Sequence, residues 1–98
     1  MNLFTNATIA LDLETGRLAW YYQAVHHDLW DWDHVTGPLL FDATKDGRAV
    51  KGIAAAGKNC LMYLWNRETG EPINPMVETS VPTETDVPGE QVWPTQPI

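Results

Sequence analysis

The chain is poor in several things that would classify it at once. Its 98 residues hold a single cysteine, Cys60, so there is no intramolecular disulfide and no zinc-type cysteine pattern, and cysteine usage does not decide the redox compartment. Only six Lys and Arg stand against 13 Asp and Glu, for a net charge of −7 and a pI near 4.6. Cations so few and so scattered cannot track a phosphate backbone or grip an anionic membrane, which argues against nucleic acid as a partner. The longest apolar runs are far too short to cross a bilayer. Met1 to Asn6 has no basic n-region and no apolar h-region, so no secretory signal is visible there. The length allows one domain at most, with a modest core, because a chain this small buries roughly two-thirds of its unfolded surface.

Chemistry is concentrated in one stretch, His26-His27-Asp28-Leu29-Trp30-Asp31-Trp32-Asp33-His34, which carries all three histidines and two of the five tryptophans. It is too polar for a half-buried strand and lacks helical apolar spacing, while its indoles are costly to leave in water. The stretch is expected to be an ordered loop, the usual place for a site on a rigid scaffold.

Around it the pattern is of short strands and tight turns. Residues 8–11 form a strand candidate, and Asp12-Leu13-Glu14-Thr15-Gly16 a turn in which Asp bonds its own backbone and Gly supplies positive φ. Residues 17–23 return with Leu18, Trp20 and Tyr22 on one face. After the loop, residues 39–41 begin a strand apolar on both faces, expected to be buried between neighbours. Asp46-Gly47 marks a hairpin. Residues 50–56 and 60–65 are further strands joined by the turn at 57–59, and Asn66-Arg67-Glu68-Thr69-Gly70 repeats the earlier turn chemistry. Pro72 confines a last short strand, residues 71–73, to an edge. Beyond Asn74 five prolines break regular pairing, and residues 75–98 are expected to be an extended connector, with Val92-Trp93 lying against a surface.

Glu14-Thr15-Gly16 and Glu68-Thr69-Gly70 are the same strand-end element 54 residues apart, a spacing slightly above that of propeller blades. The fold class is therefore all-β: antiparallel four-stranded meander blades of a partial β-propeller, with residues 1–74 holding the end of one blade and most of the next. In a meander successive turns alternate ends. The 26–34 loop and the 57–59 turn consequently fall on one face and the 45–48 and 66–70 turns on the other, so that Asp31 and Lys58 can share a site.

These residues resemble a known family, the quinoprotein alcohol and glucose dehydrogenases, eight-bladed propellers that use pyrroloquinoline quinone. Ala10-Leu11-Asp12-Leu13-Glu14-Thr15-Gly16-Arg17-Leu18-Ala19-Trp20 is similar to the family's tryptophan-docking repeat, Ala-x-Asp-x-x-Thr-Gly-x-x-x-Trp. Tyr22-Gln23 followed by His27-Asp28-Leu29-Trp30-Asp31 resembles the segment bearing the catalytic aspartate, and His26-His27 points to the glucose dehydrogenase branch. Lys58-Asn59 ahead of residues 61–66 resembles the turn whose cation contacts the quinone. Val87-Pro88-Gly89-Glu90 and Pro94-Thr95-Gln96-Pro97 also look like the sugar-type branch.

The resemblance implies Asp31 as general base, Lys58 on the quinone carbonyl with Asn59 beside it, and a calcium or lanthanide ion for which Asp33 is a candidate ligand. An acid at the position of Asp33 also occurs outside the lanthanide-using relatives. The resemblance further implies an alcohol or sugar substrate, ubiquinone or cytochrome c as electron acceptor, and a periplasmic location.

The departures are Cys60, where relatives usually have glycine, and Asn74, where the second repeat has no docking tryptophan. The family's other metal ligands and its quinone-stacking tryptophan lie on blades outside these 98 residues, so the chain is expected to be marginally stable and inactive alone. On spacing alone, Asp31 reads as a capping loop carboxylate, Lys58 as a solvated turn lysine, and the histidines as hydrogen-bonded structural residues without a ligand role. Trp20, Trp65 and Trp93 read as packing residues and Cys60 as a small buried hydrophobe. The alternative to a dehydrogenase piece is a non-catalytic propeller repeat acting as an interaction scaffold.

Overall fold

Turn chemistry and a period of two dictate the strands, and the computed structural model, which describes residues 2–98, contains seven of them and no helix among those residues. β1 (Ala7–Leu11) and β2 (Leu18–Gln23) form an antiparallel hairpin. β3 (Leu39–Lys45), β4 (Arg48–Ala56) and β5 (Met62–Asn66) form a three-stranded meander in the order β3-β4-β5. Its first turn places both Asp46 (φ 52°) and Gly47 (φ 75°) in the left-handed region, the requirement of a two-residue turn whose twist matches its strands. The fourth strand of this blade amounts to a bridge between Trp65 and Pro72, flanked by bonds from Asn66 N to Glu71 O and from Ile73 N to Leu64 O. Proline has no N–H, so pairing there is reduced to its two neighbours.

The two Glu-Thr-Gly turns superimpose in their bonding. Gly16 N donates to Asp12 O and Gly70 N to Asn66 O, each at 2.8 Å. Arg17 N donates to Thr15 Oγ1 and Glu71 N to Thr69 Oγ1, each at 3.2 Å. The side chains of Asp12 and Asn66 accept the amides that follow them. Three hydrogen bonds from Thr15 and Glu14 to its carboxylate hold Asp12 below the usual carboxylate range.

Packing joins the two half-blades through one aromatic layer. Trp20 lies against Gly70, where an added Cβ would approach the indole to 2.7 Å, and its Nε1–H donates to Arg67 O at 2.9 Å. Gly70 also has φ 77°, so two independent constraints select glycine. Tyr22 and Tyr63 pack on Trp65, the latter stacked nearly parallel to it at 5.7 Å between centroids. Tyr63 and Trp65 are fully buried, with Ala24 and Ala55 beside them.

Burial of these phenols has a pH consequence. Desolvation pushes Tyr22 up to about 12, assisted by nearby Tyr63 and Glu78. Desolvation also raises Tyr63, against the opposing hydrogen bond from Asn59. Both folded values lie above the ordinary 10.0. The neutral phenols thus contribute stability that is complete below pH 10 and is lost as pH rises toward 12. The thermal midpoint is expected to fall across that window together with the appearance of tyrosinate absorbance. A Tyr22→Phe variant should fall less, and a flat midpoint would contradict the assignment.

Three expectations need correction. β3 is longer than anticipated and is not buried between neighbours: it is an edge strand, with Leu39 68% and Leu40 62% exposed. No strand among the described residues lies beyond it. β1 likewise leaves one backbone edge open, the feature that makes an excised repeat prone to associate. The third correction concerns residues 75–98, whose prolines do not prevent pairing. β6 (Glu78–Ser80) and β7 (Thr95–Pro97) form a regular antiparallel ladder, continued by reciprocal bonds of 3.0 Å between Val77 and Ile98. Pro94 needs only its carbonyl, which accepts Val81 N at 3.1 Å, and Pro97 stands opposite Glu78 beside the reciprocally bonded Val77–Ile98 pair, where the ladder asks for no N–H.

Candidate functional site

Asp31 and Lys58 meet as the meander's parity requires. The Lys58 ammonium donates to Asp31 Oδ2 at 2.8 Å and lies 3.3 Å from Asp33 Oδ2. Lys58 N also donates to Asp33 O at 3.2 Å, fastening the far end of the loop to the β4–β5 turn. The Lys58 hydrogen bond holds the Asp31 carboxyl below the usual range, and the bond to Asp31 raises the lysine in return. The pair is open to solvent, with the Asp31 side chain 77% exposed.

The loop's shape comes from an Asp that the sequence did not single out. Asp28 Oδ1 accepts Trp30 N, and Oδ2 accepts both Trp32 N and Asn6 Nδ2, at 2.7 to 2.8 Å. Asn6 in turn accepts His34 N through its side chain and Ala24 N through its carbonyl, so one residue ahead of β1 closes the loop's mouth. The result is a turn with Trp30 and Trp32 stacked at 4.6 Å and the intervening Asp31 at φ 60°. Asn6, His27, Asp31 and Cys60 account for four of the five non-glycine residues with positive φ among the described residues. Such backbone is retained only where surroundings over-determine it, and it gathers at functional sites. Cys60, exposed rather than buried, has φ 63°, which explains why glycine suits this position.

Asn59 is already engaged: its Nδ2 donates to Tyr63 Oη at 2.8 Å and its Oδ1 accepts Leu61 N. Tyr63 Oη donates onward to Ala24 O. The Asn59 side chain therefore ties the turn to the core. The histidines have hydrogen-bonding or packing roles. His26 sits between Gln23 Oε1 and Glu78 Oε1, and His27 bonds Glu90 Oε2 at 2.7 Å. His34 packs on Tyr63 with both ring nitrogens buried and unpaired, and burial lowers its pKa.

Chemically the site is a solvent-accessible carboxylate base held ionised by a cation. Ammonium has three donors; two face Asp31 and Asp33, which leaves one for an incoming carbonyl oxygen. These residues fit one end of a quinone. They do not make a metal site by themselves: no group of three His, Cys, Asp or Glu among the described residues could hold an ion, whereas a hard divalent cation such as calcium takes six to eight oxygens.

Antiparallel meander strands joined by tryptophan docking, with a carboxylate and a lysine meeting on one face, are those of a partial β-propeller. The family model for the glucose/ethanol/alcohol dehydrogenase β-propeller domain that uses PQQ matches residues 1–98, and the chain belongs to that family. It is 46% identical over 96 residues to a quinoprotein glucose dehydrogenase of Gluconobacter oxydans and 42% identical over 95 residues to that of Escherichia coli, each match covering 97% of this chain. A quinate/shikimate dehydrogenase (quinone) of Acinetobacter baylyi is 37% identical over 96% of the chain. The chain spans 12% of the length of each of these relatives.

Proposed function

We propose that this chain is the site-bearing part of a quinoprotein dehydrogenase that oxidises a sugar or polyol hydroxyl, with Asp31 as the general base and Lys58 at the quinone carbonyl. The observation that supports this reading best is the 2.8 Å contact between Lys58 Nζ and Asp31 Oδ2, made by a strained loop and the turn facing it. A pure scaffold has no use for that pairing at an exposed site.

Bound pyrroloquinoline quinone supplies the acceptor for the hydride that leaves the substrate carbon. Asp31 accepts the hydroxyl proton, because hydride departs readily only from a carbon whose O–H is being deprotonated. Lys58 keeps that carboxylate ionised and would have one N–H left for a quinone oxygen on which negative charge grows. Asn59 orders the turn behind Lys58. A calcium or lanthanide ion would need ligands from outside the described residues, with Asp33 at most one of them, and no step here depends on it. The substrate class follows the relatives, which act by name on glucose and on quinate or shikimate. A periplasmic setting with ubiquinone or cytochrome c as the next electron acceptor belongs to the same proposal.

The test uses the protein that carries these residues, loaded with quinone and assayed by dye reduction. Lys58→Met is expected to lower kcat/KM by about 10²–10³-fold, the effect of removing one donor from a developing oxyanion, while Lys58→Arg retains part of the activity. Parental turnover in Lys58→Met would overturn the assignment.

A further inference from the structure

The loop that presents Asp31 is fastened at its far end by the Lys58 N to Asp33 O bond. Its near end is held by a side chain 70 residues away. Gln96, on β7, accepts His26 N through Oε1 and donates through Nε2 to His26 O, both at 2.8 Å. One amide side chain thus reproduces the paired bonds that a neighbouring strand would make to a single residue. Gln96 is only 4% exposed, so neither bond has water as a ready substitute. The β6–β7 ladder is braced against the same residue a second time, since Glu78 on β6 bonds the His26 ring at 2.8 Å and the third side of that ring meets Trp93.

We propose that Gln96 is a positioning residue for Asp31, acting through the His26 backbone to hold the loop where the carboxylate meets Lys58; this rests on the dehydrogenase reading given above. The route is short and physical. Gln96 fixes residue 26, Asp28 folds the next four residues onto its own carboxylate, and Asp31 at φ 60° emerges from that turn. Releasing residue 26 frees the turn to rotate about its Lys58 N anchor, and the Asp31 to Lys58 contact is then no longer enforced. The 75–98 segment is, on this view, a strap for the site as well as a connector.

The test is a Gln96→Met variant of the protein that carries these residues, matching the side chain in length while removing both bonds. In the quinone-free protein the approach of the Asp31 side chain to the Lys58 ammonium is read by NMR as the cross-peaks between Asp31 Hβ and Lys58 Hε protons, with the Trp20 and Trp65 indole signals as the report on the core. The expected result is loss of those cross-peaks with the indole signals retained. With quinone bound, kcat should fall about tenfold to 100-fold, the cost of a misplaced reacting group, at unchanged quinone affinity. Cross-peaks equal to the parent's would overturn the proposal. Should Gln96→Met lose its core signals, Gln96→Glu keeps the acceptor for His26 N and is expected to weaken the cross-peaks in part, parental intensity again counting against it. In the parent itself the His26 amide must exchange slowly with solvent, and loop-like exchange would overturn the proposal independently of any variant. Full turnover by Asp31→Asn would instead sink the base assignment and leave the positioning role to stand on the Asp31 to Lys58 contact.

Discussion

Asp31→Asn, in the quinone-loaded protein that carries these residues, is expected to lower kcat by about 10²–10⁴-fold, the usual contribution of a positioned general base, with quinone affinity retained. Asparagine preserves the volume and an oxygen for the Lys58 ammonium but cannot take a proton. The pH profile carries a second signature. Lys58 holds the Asp31 carboxyl below the ordinary carboxylate range, so the proposed base is expected to stay ionised, and activity to persist, until the pH falls through that lowered value. Removing the lysine should therefore move the acid limb of kcat/KM to higher pH. The same sign applies to the contact itself: it is complete above the ordinary carboxylate range and is lost in acid. Turnover by Asp31→Asn within a factor of two or so of the parent, far inside the expected range, would remove Asp31 from the reaction.

Trp20→Ala is the substitution with the largest expected effect on stability. It empties a site that is 8% exposed, strips the indole from Gly70 and Trp65, and leaves the Arg67 carbonyl without its donor. Loss of a buried tryptophan costs about 3–5 kcal/mol, a large part of the roughly 5–15 kcal/mol that holds a domain folded. Trp20→Phe keeps the ring against Gly70 and forfeits the hydrogen bond, for about 1 kcal/mol. Denaturant midpoints compare the three proteins. A Trp20→Ala chain as stable as its parent would show that the two half-blades are held together elsewhere.

Both residues were legible in the sequence, for different reasons. Trp20 announces itself by its spacing from Asp12, Thr15 and Gly16, a turn whose bonds all close within six residues. Asp31 and Lys58 were brought together by counting turns, since a meander leaves only two ends to choose between. Asp28 could have been found: an Asp two residues before Trp30 and four before Trp32 is placed to accept both amides, and its charge merged with the acids around it. His26 and His27, read from their spacing as hydrogen-bonded structural residues, are that, and their bonds go to the tail through Gln96, Glu78 and Glu90.

The repeat, the strand order, the hairpin at Asp46-Gly47 and the face on which the site lies were set by the sequence itself, because periodicity and turn geometry are encoded over a few neighbouring residues. The length of β3, the pairing of β6 with β7, the closure of the loop by Asn6 and the grip of Gln96 on His26 were decided only in three dimensions. The side-chain partners of Asn6 and Gln96 stand 22 to 70 residues away, and which polar groups meet at such range depends on the path of the chain between them. A buried amide must find a partner, but only the packed chain determines which one.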